Sequence, residues 1–305
     1  RDLTWERYIE IGQALTIVEP GQDIPSVFGA AGANPVIAIW GKGGDVLSPH
    51  GTRCLLAEDA AIDGMHFWYE LYYKHGVEPT PTHAEGVSSQ GGWGGGTRSW
   101  FGEGKVGMIW GARWCLIQWR RFLKEQREER AAWLAANPNA DPAEAPEVLN
   151  MGACLVPRFE DRKRYTDFDA RGVGVNPESP HRPEAVKFMA YLASEPYTDL
   201  INRGADSKPG NIAYNTVDHF TSPEWPNEEE VHELSIASIP YGRRVPQSFF
   251  IDTPTVNRAL KSAKAKIQTT EGLTREDIAG IMRSTARRID LTIARAIRRN
   301  DRLRE

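Results

Sequence analysis

The 305 residues show no basic excess: 37 Lys and Arg face 41 Asp and Glu, a formal net charge of −4. That balance excludes the broad cationic surface of a general nucleic-acid binder. Cysteine is scarce, and Cys54, Cys115 and Cys154 are too few for a disulfide scaffold and too scattered for a zinc site. No run approaches the ~18 consecutive apolar residues of a membrane-spanning helix. Catalytic signatures are missing as well: there is no HExxH, GxSxG, Walker or dinucleotide-binding sequence. His66 and His75 would face different sides of one helix, so they make no metal-spaced pair. Asp167 and Asp169 could pair for acid–base work, but they sit in a polar stretch where a surface role is the default.

What is present is an ordinary globular composition, 40% hydrophobic with 28 Gly, on a chain long enough for two domains. The first residues, Arg1 to Gly12, read as an amphipathic helix rather than a secretion signal, so a mature form or a fragment is expected. Thr4 is placed to cap that helix. Pro35–Trp40 is a short apolar run of either type. Residues 59–75 place Ile62, Met65, Tyr69 and Tyr72 on one helical face, stopped by Gly76. The glycine run Gly91–Gly96 lacks the strand and Lys-Ser/Thr of a phosphate cradle and reads as a loop. Gly104–Trp110 predicts a strand, Gly111–Trp114 a turn, and the following helix loses its apolar stripe after Leu123, so residues 120–147 read as a charged, solvated insertion. Residues 152–157 and 172–176 predict two more strands. Pro183 opens a helix with Val186, Met189 and Leu192 turned inward. Thr253–Pro254 starts a helix with the stripe Val256, Leu260, Ala263 and Ile267. Thr274 and Asp277, spaced as a capping box, start the last, with Ile278, Ile281, Thr285, Ile289, Ile293 and Ile297 in line. The Arg-rich end of that helix suits its dipole better than it suits a nucleic-acid arm.

The compositional excess is ten Trp. Trp93, Trp100, Phe101, Trp110, Trp114 and Trp119 crowd one stretch among glycines. A core role is the default for any single ring. The alternative is a carbohydrate site, in which an indole covers the apolar C–H face of a sugar and a neighbour such as Arg113 bonds its polar rim. Trp114, on the strand-to-helix turn, is the candidate most favourably placed, with Trp110 beside it.

In order along the chain, Thr4–Glu6, Trp40 with Gly43–Gly44, Phe101–Met108, Gly111–Trp114, Leu155–Pro157 and Pro183–Leu192 resemble the family 1 extracellular solute-binding proteins, the sugar receptors of ABC importers. The resemblance implies an α/β, two-lobe periplasmic-binding-protein-like (type II) fold that closes over a carbohydrate and presents it to a membrane permease, without catalysis, metal or cofactor. It implies a periplasmic or extracellular, in some members lipid-anchored, protein that is a monomer at full length. Stacking on sugar carries over to Trp114, and further contacts to Trp40, Phe249, Phe250 and Asp252. Residues 1–150 and 220–305 would form the second lobe, and 151–219 a returning segment of the first. On this reading most of the first lobe, about a hundred residues at typical domain size, is not in the chain, and the charged insertion departs from the family pattern. A carbohydrate-active enzyme or lectin-like module is the rival from another class.

Overall fold

The computed structural model describes residues 2–83, 97–170 and 172–302, so the glycine run Gly91–Gly96 and Trp93 lie outside the described residues. Helix α1 (Trp5–Leu15) starts where Thr4 accepts the Arg7 N–H, and it buries Trp5, Tyr8 and Gly12. The ambiguous apolar run is helix α2 (Pro35–Gly41), with Asn34 accepting the Val36 N–H and Pro35 in the first turn. All seven of its residues are buried. A helix covered on every side has no polar face and hence no readable period. Helix α3 (Asp59–Tyr73) crosses α2 at Gly64, where a Cβ would lie 2.4 Å from the Ile39 Cα. Only glycine permits that approach. The expected stop, Gly76, has φ +66.

Strand β1 (Phe28–Ala31) pairs in parallel with β2 (Val106–Ile109), Phe28 opposite Val106 and Ala31 opposite Ile109. Parallel neighbours need a long crossover, and α2, α3 and α4 (Thr97–Gly102) lie within it. After β2 a 3-10 turn, Arg113–Cys115, leads into α5 (Leu116–Ala136), which buries only Leu116, Trp119 and Leu123. Its distal half lies mostly outside the core, as its charges predict. Arg130 fastens it to the next loop by donating to the carbonyls of Pro142, Ala145 and Pro146.

Two expected strands do not form. Residues 152–157 and 172–176 run without ladder partners, and only the adjoining Arg158 makes a bridge, to Thr4. An apolar run becomes a strand only where a neighbouring strand takes its amides. The pairing in this region is instead β3 (Thr166–Asp167) parallel to β4 (Gly242–Arg243). Between them lie α6 (Arg182–Leu192), α7 (Glu195–Arg203), α8 (Val217–Phe220) and α9 (Glu229–Ala237). The inward face expected for α6 is not buried. Val186 is 57% exposed, Phe188 59% and, on α7, Leu200 62%, while Met189 and Leu192 are half-buried. No described element covers this face.

Helices α10 (Thr253–Gln268) and α11 (Arg275–Arg302) return to the main core. The capping box is in place, Asp277 accepting the Thr274 N–H and Thr274 accepting that of Asp277. Ile278, Thr285, Ile289 and Ile293 are buried, with Ile281 and Ile297 packed beside them. One large core therefore joins α1–α3 to α10 and α11 around Trp5, Trp40 and Trp68. A smaller one, built on Cys115, Leu116, Trp119 and Ala205, ties the start of α5 to the α7 end. Cys54 and Cys115 are buried and Cys154 is exposed.

Candidate functional site

Trp110 extends the β1–β2 ladder by donating its backbone N–H to the Ala31 carbonyl at 3.0 Å. Its indole stacks on Trp5, 5.5 Å between centroids at 21°, and its Nε1 donates to the Tyr8 hydroxyl at 2.9 Å. Tyr8 donates in turn to the buried Glu78 carboxylate at 2.7 Å, which also accepts the N–H groups of Gly32 and Ala33. Burial pushes the Glu78 carboxyl up, opposed by those three donors, and drives the Tyr8 phenol well above its ordinary range. The half-buried Trp110 ring is thus oriented from behind by a chain of hydrogen bonds that ends in a carboxylate.

Four residues on, Trp114 is partly exposed on the turn. The guanidinium carbon of Arg98 lies 4.6 Å from its ring centroid. Arg113, between the two tryptophans in sequence terms, turns the other way. It is buried, donates to the carbonyls of Asn202 and Ser207, and lies 4.3 Å from the Phe220 ring centroid. Burial lowers its pKa to about 10. Next to it Arg120 makes a bidentate, buried pair with Glu228 at 2.8 and 2.7 Å. The buried His232 is pushed down to about 4, first by desolvation and then by Arg113 and Arg120.

Three of the seven expected ligand residues have structural employment. Trp40 is 1% exposed, and its Nε1 donates to Asp45 at 2.9 Å, so no ring face reaches solvent. Arg113 locks the turn at 202–207. Asp252, rather than Thr253, is the N-cap of α10: it accepts the N–H and hydroxyl of Thr255, and these bonds hold its carboxyl below the usual range. Before it, Phe249 is 99% exposed and Phe250 half-buried against the main core. Ser248 pins this segment by accepting the Phe250 N–H and donating to the Gly51 carbonyl at 2.6 Å. Trp110, Trp114 and Phe250 are thus half-buried and Phe249 is exposed. Arg98 was not legible as a neighbour of Trp114, because helix α4 and the turn are brought together only by tertiary contacts, among them the bond from Trp119 Nε1 to the Arg98 carbonyl.

No family model matches the chain, and no curated protein matches it by sequence. Solved structures do match its fold. The Bdellovibrio bacteriovorus maltose/maltodextrin-binding domain bound to maltotriose superposes with a TM-score of 0.62 at 17% identity, over 98% of this chain and 67% of its own. An ABC substrate-binding protein from Listeria monocytogenes, in complex with cycloalternan, gives 0.61 at 14% over 96% and 64%. UgpB from Mycobacterium tuberculosis, in complex with glycerophosphocholine, gives 0.62 at 12% over 97% and 65%. The chain has the two-lobe fold of the substrate-binding proteins of ABC transporters, and it spans about two thirds of their length.

Proposed function

We propose that this chain acts as an extracytoplasmic solute receptor that binds a carbohydrate and hands it to an ABC-transporter permease. The observation that carries the reading is the partly exposed Trp114 on the turn after β2, four residues beyond the rigidly held Trp110, in a fold whose solved relatives include proteins bound to maltotriose and cycloalternan. An indole held from behind can stack on a pyranose with little ordering cost. Binding needs no covalent step, because a ligand that touches two bodies shifts them toward the closed form. Residues 1–150 and the last two helices would form one lobe. The segment of α6–α9 would belong to the other, with its return crossing at Gly242–Val245, where β4 pairs with β3 and Val245 rejoins the main core, rather than at residue 219. Phe249, exposed just past that crossing, is placed to meet ligand or permease. Calorimetry and ligand-detected NMR against a panel of mono- and oligosaccharides test the reading: binding that Trp114→Ala weakens supports it, and no binding by any member overturns it.

A further inference from the structure

The last helix, α11, has two opposite faces of unlike chemistry. Ile278, Met282, Thr285, Ile289 and Ile293 are buried on one. Arg287, Arg288, Arg295, Arg298 and Arg299 lie on the other, and all five are exposed. At about 100° per residue these arginines fall within an arc of about 120°, along about 18 Å of helix. Arg283, just off this arc, is paired with Glu276 at 2.6 Å, whereas none of the five takes an ion pair among the described residues. The one acid between residues 278 and 300 is Asp290, which lies off the stripe and accepts the Cys54 N–H at 2.7 Å. A solvated face ordinarily mixes signs, as on α5, where Arg121 meets Glu125. Here Arg295 stands three and four residues from Arg298 and Arg299, spacings at which like charges destabilise a helix. The helix dipole offsets this only in the last turn, and Arg288 lies about 21 Å before the end of α11 at Arg302. The positive face also runs against the net charge of −4 for the whole chain.

We propose that this arginine face of α11 docks on the anionic phospholipid surface of a membrane. Each guanidinium fork matches two phosphate oxygens at once, and a cluster of four to eight cations on an amphipathic helix suffices to hold acidic headgroups. Leu291 lies within the same arc, 48% exposed between the arginines, and gives the face an apolar contact at headgroup depth. A bilayer uses that side chain, whereas the phosphates of a nucleic acid would leave it in water. The charge balance of the rest of the chain would also repel a polyanion that wrapped further. The contact is peripheral, because no helix among the described residues is long and apolar enough to cross a membrane. It needs no solute and involves neither Trp110 nor Trp114, so it stands apart from the receptor reading.

Co-sedimentation of the 305-residue chain with vesicles of phosphatidylcholine, alone or mixed with phosphatidylglycerol, tests this. The expected result is binding at least tenfold tighter to the mixed vesicles, falling as salt is raised. Arg287→Gln, Arg288→Gln, Arg295→Gln, Arg298→Gln and Arg299→Gln together remove the preference, with the fold checked by circular dichroism. If that variant does not fold, Arg288→Gln with Arg295→Gln lowers binding several-fold. Arg121→Gln with Lys124→Gln takes two charges from α5 instead and leaves binding unchanged; an equal loss there overturns the assignment to α11. Equal binding to the two vesicles, or none to either, overturns the inference. Binding that survives the arginine changes but is lost in Phe188→Glu overturns it too, since the exposed face of α6 is then the contact. Duplex DNA bound as tightly as the mixed vesicles at the same salt overturns the choice of lipid. Each of these failures leaves sugar binding at Trp114 to its own test.

Discussion

The indole of Trp110 lies almost flat against that of Trp5, their centroids 5.5 Å apart, and through this contact the turn that bears Trp114 is referred to the first helix of the chain. Trp5 is fully buried and also meets Tyr8, Phe67 and Phe159. Trp110 thus packs on the large core, whereas Trp114 packs on the edge of the smaller core around Cys115 and Trp119. Truncation should therefore act differently at the fully buried Trp5 and at the half-buried Trp114. Trp5→Ala should cost about 3–5 kcal/mol of stability by emptying the core, measured by urea unfolding. Trp114→Ala should leave the unfolding midpoint nearly unchanged and weaken sugar binding by about 1–3 kcal/mol.

Arg120 and Glu228 form a buried ion pair that joins α5 to the start of α9. Arg120→Met should destabilise by about 3–5 kcal/mol, since it strands a carboxylate away from water. Arg120→Met combined with Glu228→Gln should recover a large part of that loss, the two changes being coupled. Chemical denaturation of the single and double variants checks the cycle, and strict additivity would contradict it.

Glu78 supplies a pH signature. Its folded-state carboxyl is raised, chiefly by burial, so the folded protein binds a proton there more readily than the unfolded chain. Its contribution to stability is therefore fully present below the usual carboxylate range and is lost as pH rises through the raised value. Against Glu78→Gln, which cannot titrate, the wild-type protein should gain relative stability as pH falls through that window. Unfolding curves of both proteins between pH 4 and 7 give the difference directly, and a flat difference would refute it.

Helices α6 and α7 present Val186, Phe188, Tyr191 and Leu200 to solvent, with the Phe188 and Tyr191 rings 6.4 Å apart. An apolar patch of this kind drives association. Sedimentation velocity should show concentration-dependent self-association of the chain, reduced by Phe188→Glu with Leu200→Glu. Monomeric behaviour at all concentrations would count against this.

The parts of the fold that were legible were those governed by local chemistry. Thr4, Gly76 and the Thr274–Asp277 box each act within one helical turn, and all are where the sequence puts them. The stripes of α3, α10 and α11 face one core and repeat accordingly. What could not be read depended on remote partners. The residues of α2 are buried all round, 152–157 finds no strand to pair with, and the face of α6 meets no described neighbour. The site divided in the same way. Trp114 was marked by its turn, but Trp40, Arg113 and Asp252 could be assigned to the core and to a cap only once Asp45, Asn202 and Thr255 were seen beside them.

The distribution of thiols gives the molecule a natural labelling position. Burial raises all three thiols, Cys54 to about 11, but Cys54 and Cys115 are shut inside while Cys154 stands open on the stretch between α5 and β3. A single maleimide dye would therefore settle on Cys154 without any engineering. It would sit on the chain where it passes from the large core toward α6–α9, with the native tryptophans as energy donors. On the receptor reading proposed above, a change in the distance between the large core and α6–α9 on adding sugar would be readable as a change in transfer efficiency, in a protein carrying no substitution.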